Sequence, residues 1–103
     1  MGVIKMEFKG KTAISTGAAS GMGLLFAENW ASLGGNVVMC DVNEEVLNQK
    51  VDEINAKGEG TAVGVICDVR DYGQICNARD MAVNTFGSID IMCNFAGGTA
   101  VRM

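Results

Sequence analysis

Histidine and proline are absent from these 103 residues. Without histidine there is no Ser-His-Asp or Cys-His arrangement for nucleophilic catalysis. A zinc site would have to draw on Cys40, Cys67, Cys76 and Cys93, which form no CxxC pair. We read these thiols as apolar groups in a reducing compartment, three of them near the ends of predicted strands along one edge of a sheet. The missing proline fits a chain made mostly of regular elements joined by tight glycine turns. Basic residues are also scarce: eight Lys and Arg face twelve Asp and Glu, for a net charge of -4. A non-specific nucleic-acid binder needs a basic face to displace counterions from phosphates, so nucleic acid is not an expected partner. Long apolar runs are missing as well. The longest uncharged stretch, Thr12 to Ala27, contains Gly, Ser and Thr and is shorter than a membrane span. The opening MGVIKMEFKG lacks the apolar core of a signal peptide, and Met6 stands where myristoylation needs Ser or Thr. A cytoplasmic protein is therefore expected, with no membrane partner.

What is present is a 49% apolar composition with 14 glycines, enough for one small globular domain with a core of its own. No linker, repeat or low-complexity segment interrupts it. Four short apolar or β-branched segments, Thr12–Thr16, Asn36–Asp41, Thr61–Asp68 and Ile89–Asn94, read as strands buried on both faces. Helical patterns separate them. The first carries Met22, Leu25, Phe26, Asn29 or Trp30, and Leu33 on one face and stops at Gly34 and Gly35. The second opens on Asn43 with Glu44 and Glu45 in its first turn and turns Leu47, Val51 and Ile54 inward, ending at Lys57 and Gly58. The third opens on Asp71 with Gln74 at capping-box spacing and packs Ile75, Ala78, Ala82 and Phe86 before Gly87. Strands separated each time by a helix are parallel with right-handed crossovers. The expected fold is thus α/β, a Rossmann-like doubly wound sheet of βαβαβαβ connectivity in spatial order 3-2-1-4.

The segment STGAASGMG places Gly17, Gly21 and Gly23 after the first strand and at the start of the first helix. Helix interiors disfavour glycine, so the three have another use. A helix N-terminus exposes unpaired N–H groups and a partial positive charge, where a pyrophosphate can sit if no side chain blocks it. Gly17 makes the tight exit from the strand, Gly21 lets backbone approach the phosphate, and Gly23 lets the helix pack on the sheet. Thr16 and Ser20 offer hydroxyls to the phosphate or to the turn, and Met22 lies between the last two glycines. Flavin enzymes, methyltransferases and plain tight turns also use such a loop. Asp41, 18 residues beyond Gly23 at the end of the second strand, stands where a carboxylate accepts from both adenosine ribose hydroxyls. A 2′-phosphate there would face that carboxylate, and neither Ala19 nor Val42 brings a compensating charge, so NAD is preferred to NADP. The alternative for Asp41 is a solvated turn acid or a cap of the second helix.

On these residues the chain resembles the short-chain dehydrogenase/reductase family, whose TGxxxGxG pattern is matched by Thr16, Gly17, Gly21 and Gly23. FKGKTAISTG is similar to the family's lead into the first strand. CDVRD resembles its Asp-Val, which implies that Asp68 reaches the adenine amino group and that Val69 packs on the ring. IDIMCNFAGG resembles the fourth strand and its Asn-Asn-Ala-Gly, which implies that Asn94, Ala96 and Gly97 lie beside the adenosine half of the cofactor. The second Asn of that motif is Phe95 here, so a brace across the sheet is expected to be lost and an apolar pocket needed.

The resemblance implies an oxidoreductase moving hydride between NAD and an alcohol or carbonyl substrate, in relatives that oligomerise through later helices. The family's catalytic Ser and YxxxK lie beyond the fourth strand, and the only tyrosine here, Tyr72, is followed four residues later by Cys76. No catalytic residue is therefore assigned. Residues 1–103 read as a single NAD-binding domain, incomplete at its C-terminal end, whose fourth strand would be an exposed edge. A non-catalytic nucleotide-binding module is the alternative, and a methyltransferase-like domain a third reading.

Overall fold

A computed structural model describes residues 8–96. The elements alternate in chain order: β1 (Thr12–Thr16), α1 (Gly21–Ser32), β2 (Asn36–Asp41), α2 (Glu44–Lys57), β3 (Thr61–Ile66), α3 (Tyr72–Phe86) and β4 (Ile91–Asn94). All strands are parallel in the order β3-β2-β1-β4, as expected.

Alternation along the strands divides the core into two layers. Ala13, Val37, Met39 and Ala62 face α1 and α2, meeting Ala27, Trp30, Ala31, Leu47 and Ile54. Ile14, Val38 and Cys40 face the opposite way, toward Ala78 and Ala82 of α3, with Ile75 and Phe86 packed alongside. The inner strands β1 and β2 are buried nearly throughout, whereas β3 and β4, having a neighbour on one side only, are partly open. The expectation of strands buried on both faces therefore holds for the inner pair alone. Ile91 of β4 is exposed at the sheet edge.

Two strands are shorter than the sequence pattern suggests. β3 stops at Ile66 because its partner stops: Ile66 is in register with Asp41, the last residue of β2. Cys67 still donates its N–H to the Asp41 carbonyl, and the chain then turns away, with the Asp68 N–H on Gln74 Oε1. β4 begins at Ile91 because Asp90 is used as a hook, its carboxylate accepting from Thr12 N and its N–H donating to Thr12 O, both at 2.8 Å.

The inward face of α1 also differs from the expected one. Met22 and Leu25 are 66% and 51% exposed, and the buried stripe is Gly23, Ala27, Trp30 and Ala31. Small residues let the helix axis approach the sheet, which rotates the larger side chains off the contact line. Trp30 closes the far end of α1, stacked on Phe8 at 4.1 Å and donating from Nε1 to the Lys11 carbonyl.

The N-caps of the other two helices are as expected in residue but not wholly in geometry. Asn43 Oδ1 accepts from Val46 N, and Asp71 Oδ1 from Gly73 N and Gln74 N. Gln74 does not complete a capping box. Its amide spans from the Asp71 carboxylate to the N–H of Asp68, so it ties the β3–α3 turn to the helix instead.

Candidate functional site

The C-terminal ends of the four strands all point to one side, and the loop between β1 and α1 rises there. Its position is fixed from three directions. Ala18 donates its N–H to the Cys40 carbonyl at 2.9 Å, and Ala19 donates to Asp41 Oδ2 at 3.0 Å, so the loop is held against the end of β2. Ser15, fully buried, donates its hydroxyl to the Gly23 carbonyl and binds the first turn of α1 to β1. Nothing in the sequence pattern singles out Ser15, because its partner is a backbone carbonyl eight residues away.

The three glycines have separate functions. Gly17 and Gly21 adopt left-handed backbone, φ 61° and 60°. A Cβ on Gly23 would run into the carbonyl oxygens of Gly17 and Thr16, which places that glycine at the contact between helix and strand. A Cβ on Gly21 would meet nothing, so Gly21 borders open space at the helix N-terminus. Ser20, the N-cap of α1, makes no side-chain capping bond, and the first turn of α1 carries no acidic residue. Unclaimed amides beside an unobstructed glycine fit an anionic group such as a pyrophosphate.

Asp41 closes the adjoining wall. Its Oδ2 accepts from Ala19 N and its Oδ1 from Asn43 N, each at 3.0 Å, so the carboxylate is aimed by two backbone amides. A carboxylate has about four acceptor directions, and these two bonds leave about one on each oxygen.

Thr16 and Asn94 knit β1 to β4. The Thr16 hydroxyl donates to Asn94 Oδ1 at 2.5 Å and accepts from Phe95 N at 3.0 Å. Asn94 Oδ1 also accepts from Ala96 N. The brace expected to be lost with Phe95 is thus carried by Asn94, Thr16 and the backbone. The Phe95 ring finds one apolar neighbour, Phe26 at 6.0 Å, and stays 37% exposed.

Between these walls lies a cleft of about 450 Å³ lined by Gly17, Asp41, Val42, Cys67, Asp68, Val69, Arg70 and Ala96. Six of these are residues singled out from the sequence. Thr16, Ser20, Gly21, Met22, Gly23 and Asn94 lie off this lining, as the loop, brace and helix start that shape it. Gly97 falls outside the described residues. Tyr72, at the start of α3, is 75% exposed and is not among the lining residues. Among the described residues there is no cluster suited to a metal ion, and no helix is long and apolar enough to cross a membrane.

Arg70 and Cys67 were not foreseen. Arg70 clasps Asp68 with Nη2 to Oδ2 at 2.7 Å and Nε to Oδ1 at 3.0 Å, and Oδ1 also accepts the Arg70 backbone N–H. These bonds hold the Asp68 carboxyl down at about 2. The Asp68 carboxylate is therefore already engaged along its edge. Cys67 sits with Cys40 in the layer under α3. Burial pushes the Cys40 thiol up to about 12 from the usual 9.0, with Cys67 nearby adding to the shift. Such a raised thiol contributes stability that is whole below pH 9 and is lost as pH climbs toward 12. Urea unfolding as a function of pH should therefore show wild-type stability falling across that window more steeply than the stability of a Cys40→Ala variant. Parallel slopes would refute this assignment.

Sequence comparison agrees with the loop and its surroundings. The short chain dehydrogenase model matches residues 11–103. The chain belongs to the short-chain dehydrogenase/reductase family. It is 38% identical over 93 residues to a 7alpha-hydroxysteroid dehydrogenase of Escherichia coli K12, covering 90% of this chain and 36% of the relative. Among solved structures, a short chain dehydrogenase/reductase from Burkholderia phymatum in complex with NAD is 42% identical with a TM-score of 0.79, covering 84% of this chain and 30% of that one. The L-sorbose reductase of Gluconobacter frateurii, complexed with NADPH and L-sorbose, is 27% identical with a TM-score of 0.84, covering 96% and 38%. This short-chain dehydrogenase/reductase chain thus spans about a third of the length of relatives that hold either NAD or NADPH.

Proposed function

We propose that the cleft takes the adenosine half of NAD, and that residues 1–103 form the cofactor side of an oxidoreductase acting on a small alcohol or carbonyl substrate. The observation that carries this reading is the Asp41 carboxylate, aimed by Ala19 N and Asn43 N with an acceptor direction free on each oxygen. Two acceptors match the two hydroxyls of an unmodified ribose, whereas a 2′-phosphate would meet a negative charge. The amides at the start of α1 would hold the pyrophosphate, with Gly21 leaving the approach open. Val42, Val69 and Ala96 would flank the adenosine, with Asn94 on the same side and Met22 at the mouth of the helix. Bound NAD supplies hydride chemistry, and the residues of this chain bind and orient it. Four free cysteines suit the cytoplasm.

A nucleotide-binding module without catalysis is the second reading, supported by Tyr72, the one tyrosine, lying away from the cleft lining. Thermal melting with saturating ligands tests the first part of the proposal. NAD at about 100 times its Kd should stabilise the chain by about 2.7 kcal/mol, a shift of roughly 10 °C or more, with S-adenosylmethionine inert. A shift with S-adenosylmethionine alone would sink it. NADH formation from NAD and an alcohol by this chain would decide against the second reading.

A further inference from the structure

The Arg70–Asp68 pair has a form that stability does not account for. An exposed ion pair contributes little to folding, and the Arg70 side chain is 88% exposed. Yet the guanidinium is fixed by a two-point grip on Asp68, and Asp68 is itself pinned by the Arg70 backbone N–H and by its own N–H on Gln74. All the bonds between the two side chains use the edge of the guanidinium, so its flat face is unclaimed. Arg70 and the exposed Val42 both line the cleft. A flat cation with its edge held and its face free matches a π-face, and an apolar side chain on the same cleft adds a surface for a ring.

We propose that the face of the Arg70 guanidinium is the stacking platform for the adenine ring, and that Asp68 acts as a positioning residue holding that platform in plane. The inference rests on the NAD reading above. It adds a stacking contact at Arg70 to the adenosine site, with Asp68 holding the guanidinium in place. Lysine cannot substitute, because an ammonium keeps the charge but has no plane to offer.

The test is calorimetric titration of the whole chain with NAD and with ADP-ribose, together with the hypochromic change of the adenine absorbance on binding. Base stacking of this kind corresponds to about tenfold in affinity. Arg70→Ala and Arg70→Lys should each weaken both ligands by about that factor and diminish the hypochromic change, with melting temperatures of the free proteins unchanged. Asp68→Asn should fall between wild type and Arg70→Ala. Wild-type affinity in either Arg70 variant would overturn the proposal, as would a full loss in Asp68→Asn with none in Arg70→Ala. Failure of the wild-type chain to bind either ligand is a different result, visible before any variant is made, and it removes the NAD reading itself.

Discussion

Replacing Gly23 with alanine should cost the fold about 3 kcal/mol or more, near the upper end for overpacking a tight contact. The added Cβ would lie 2.6 Å from the Thr16 carbonyl oxygen and closer still to that of Gly17. Both obstacles are backbone, so no side-chain rotation relieves them. Moving α1 away would also break the Ser15 hydroxyl bond to the Gly23 carbonyl and open the buried layer around Ala27 and Trp30. For a domain of this size such a loss lowers Tm by roughly 10–20 °C, which urea or thermal unfolding would register. Gly21→Ala provides the contrast. Its Cβ meets no atom, and the penalty of about 1–2 kcal/mol comes from the left-handed backbone at φ 60°. The Gly21 variant should lose dinucleotide affinity out of proportion to its stability, whereas the Gly23 variant loses both together. Equal stability of the two variants would mean that α1 does not rest on β1 as described.

Asp41→Asn should weaken NADH binding by roughly 10–100-fold, the range expected when hydrogen bonds to a charged acceptor become neutral ones. It should also bring NADPH binding up to or above that of NADH, because the repulsion of a 2′-phosphate goes with the charge. The variant is suited to separating charge from scaffold. An asparagine oxygen can still accept the Ala19 N–H that holds the glycine loop to β2, while the NH2 replacing the other oxygen cannot accept from Asn43 N, an exposed bond whose loss should cost about 1 kcal/mol. Fluorescence titration with both reduced cofactors gives the ratio directly. An unchanged preference in Asp41→Asn would move the discrimination to some other group.

The sequence discloses most readily whatever repeats with a period or stands at a chain-local spacing. Strand order, the helix caps at Asn43 and Asp71, and the glycine loop are of this kind. The glycines and Asp41 are legible because a left-handed exit from β1, a helix resting on a strand and an acid at the end of β2 each demand a particular residue at a fixed spacing. What escaped depends on contacts between distant segments. β3 ends where β2 does, and β4 starts late because Asp90 is hooked to Thr12. Helical periodicity gave Met22 and Leu25 to the core by size alone, whereas the close approach of α1 at Gly23 and Ala27 selects the small residues. Arg70 was passed over because a charge in a turn is usually solvated. Its place is apparent only once its two-point grip on Asp68 is seen.

The most direct test of the central claim is an amide NMR titration of the labelled chain with NAD. Binding as described predicts the largest shift changes along Gly17–Gly23, at Asp41 and Val42, and from Asp68 to Arg70, with the exposed faces of α2 and α3 unaffected. The absence of saturable shifts, or shifts centred on α2 or α3, would contradict it.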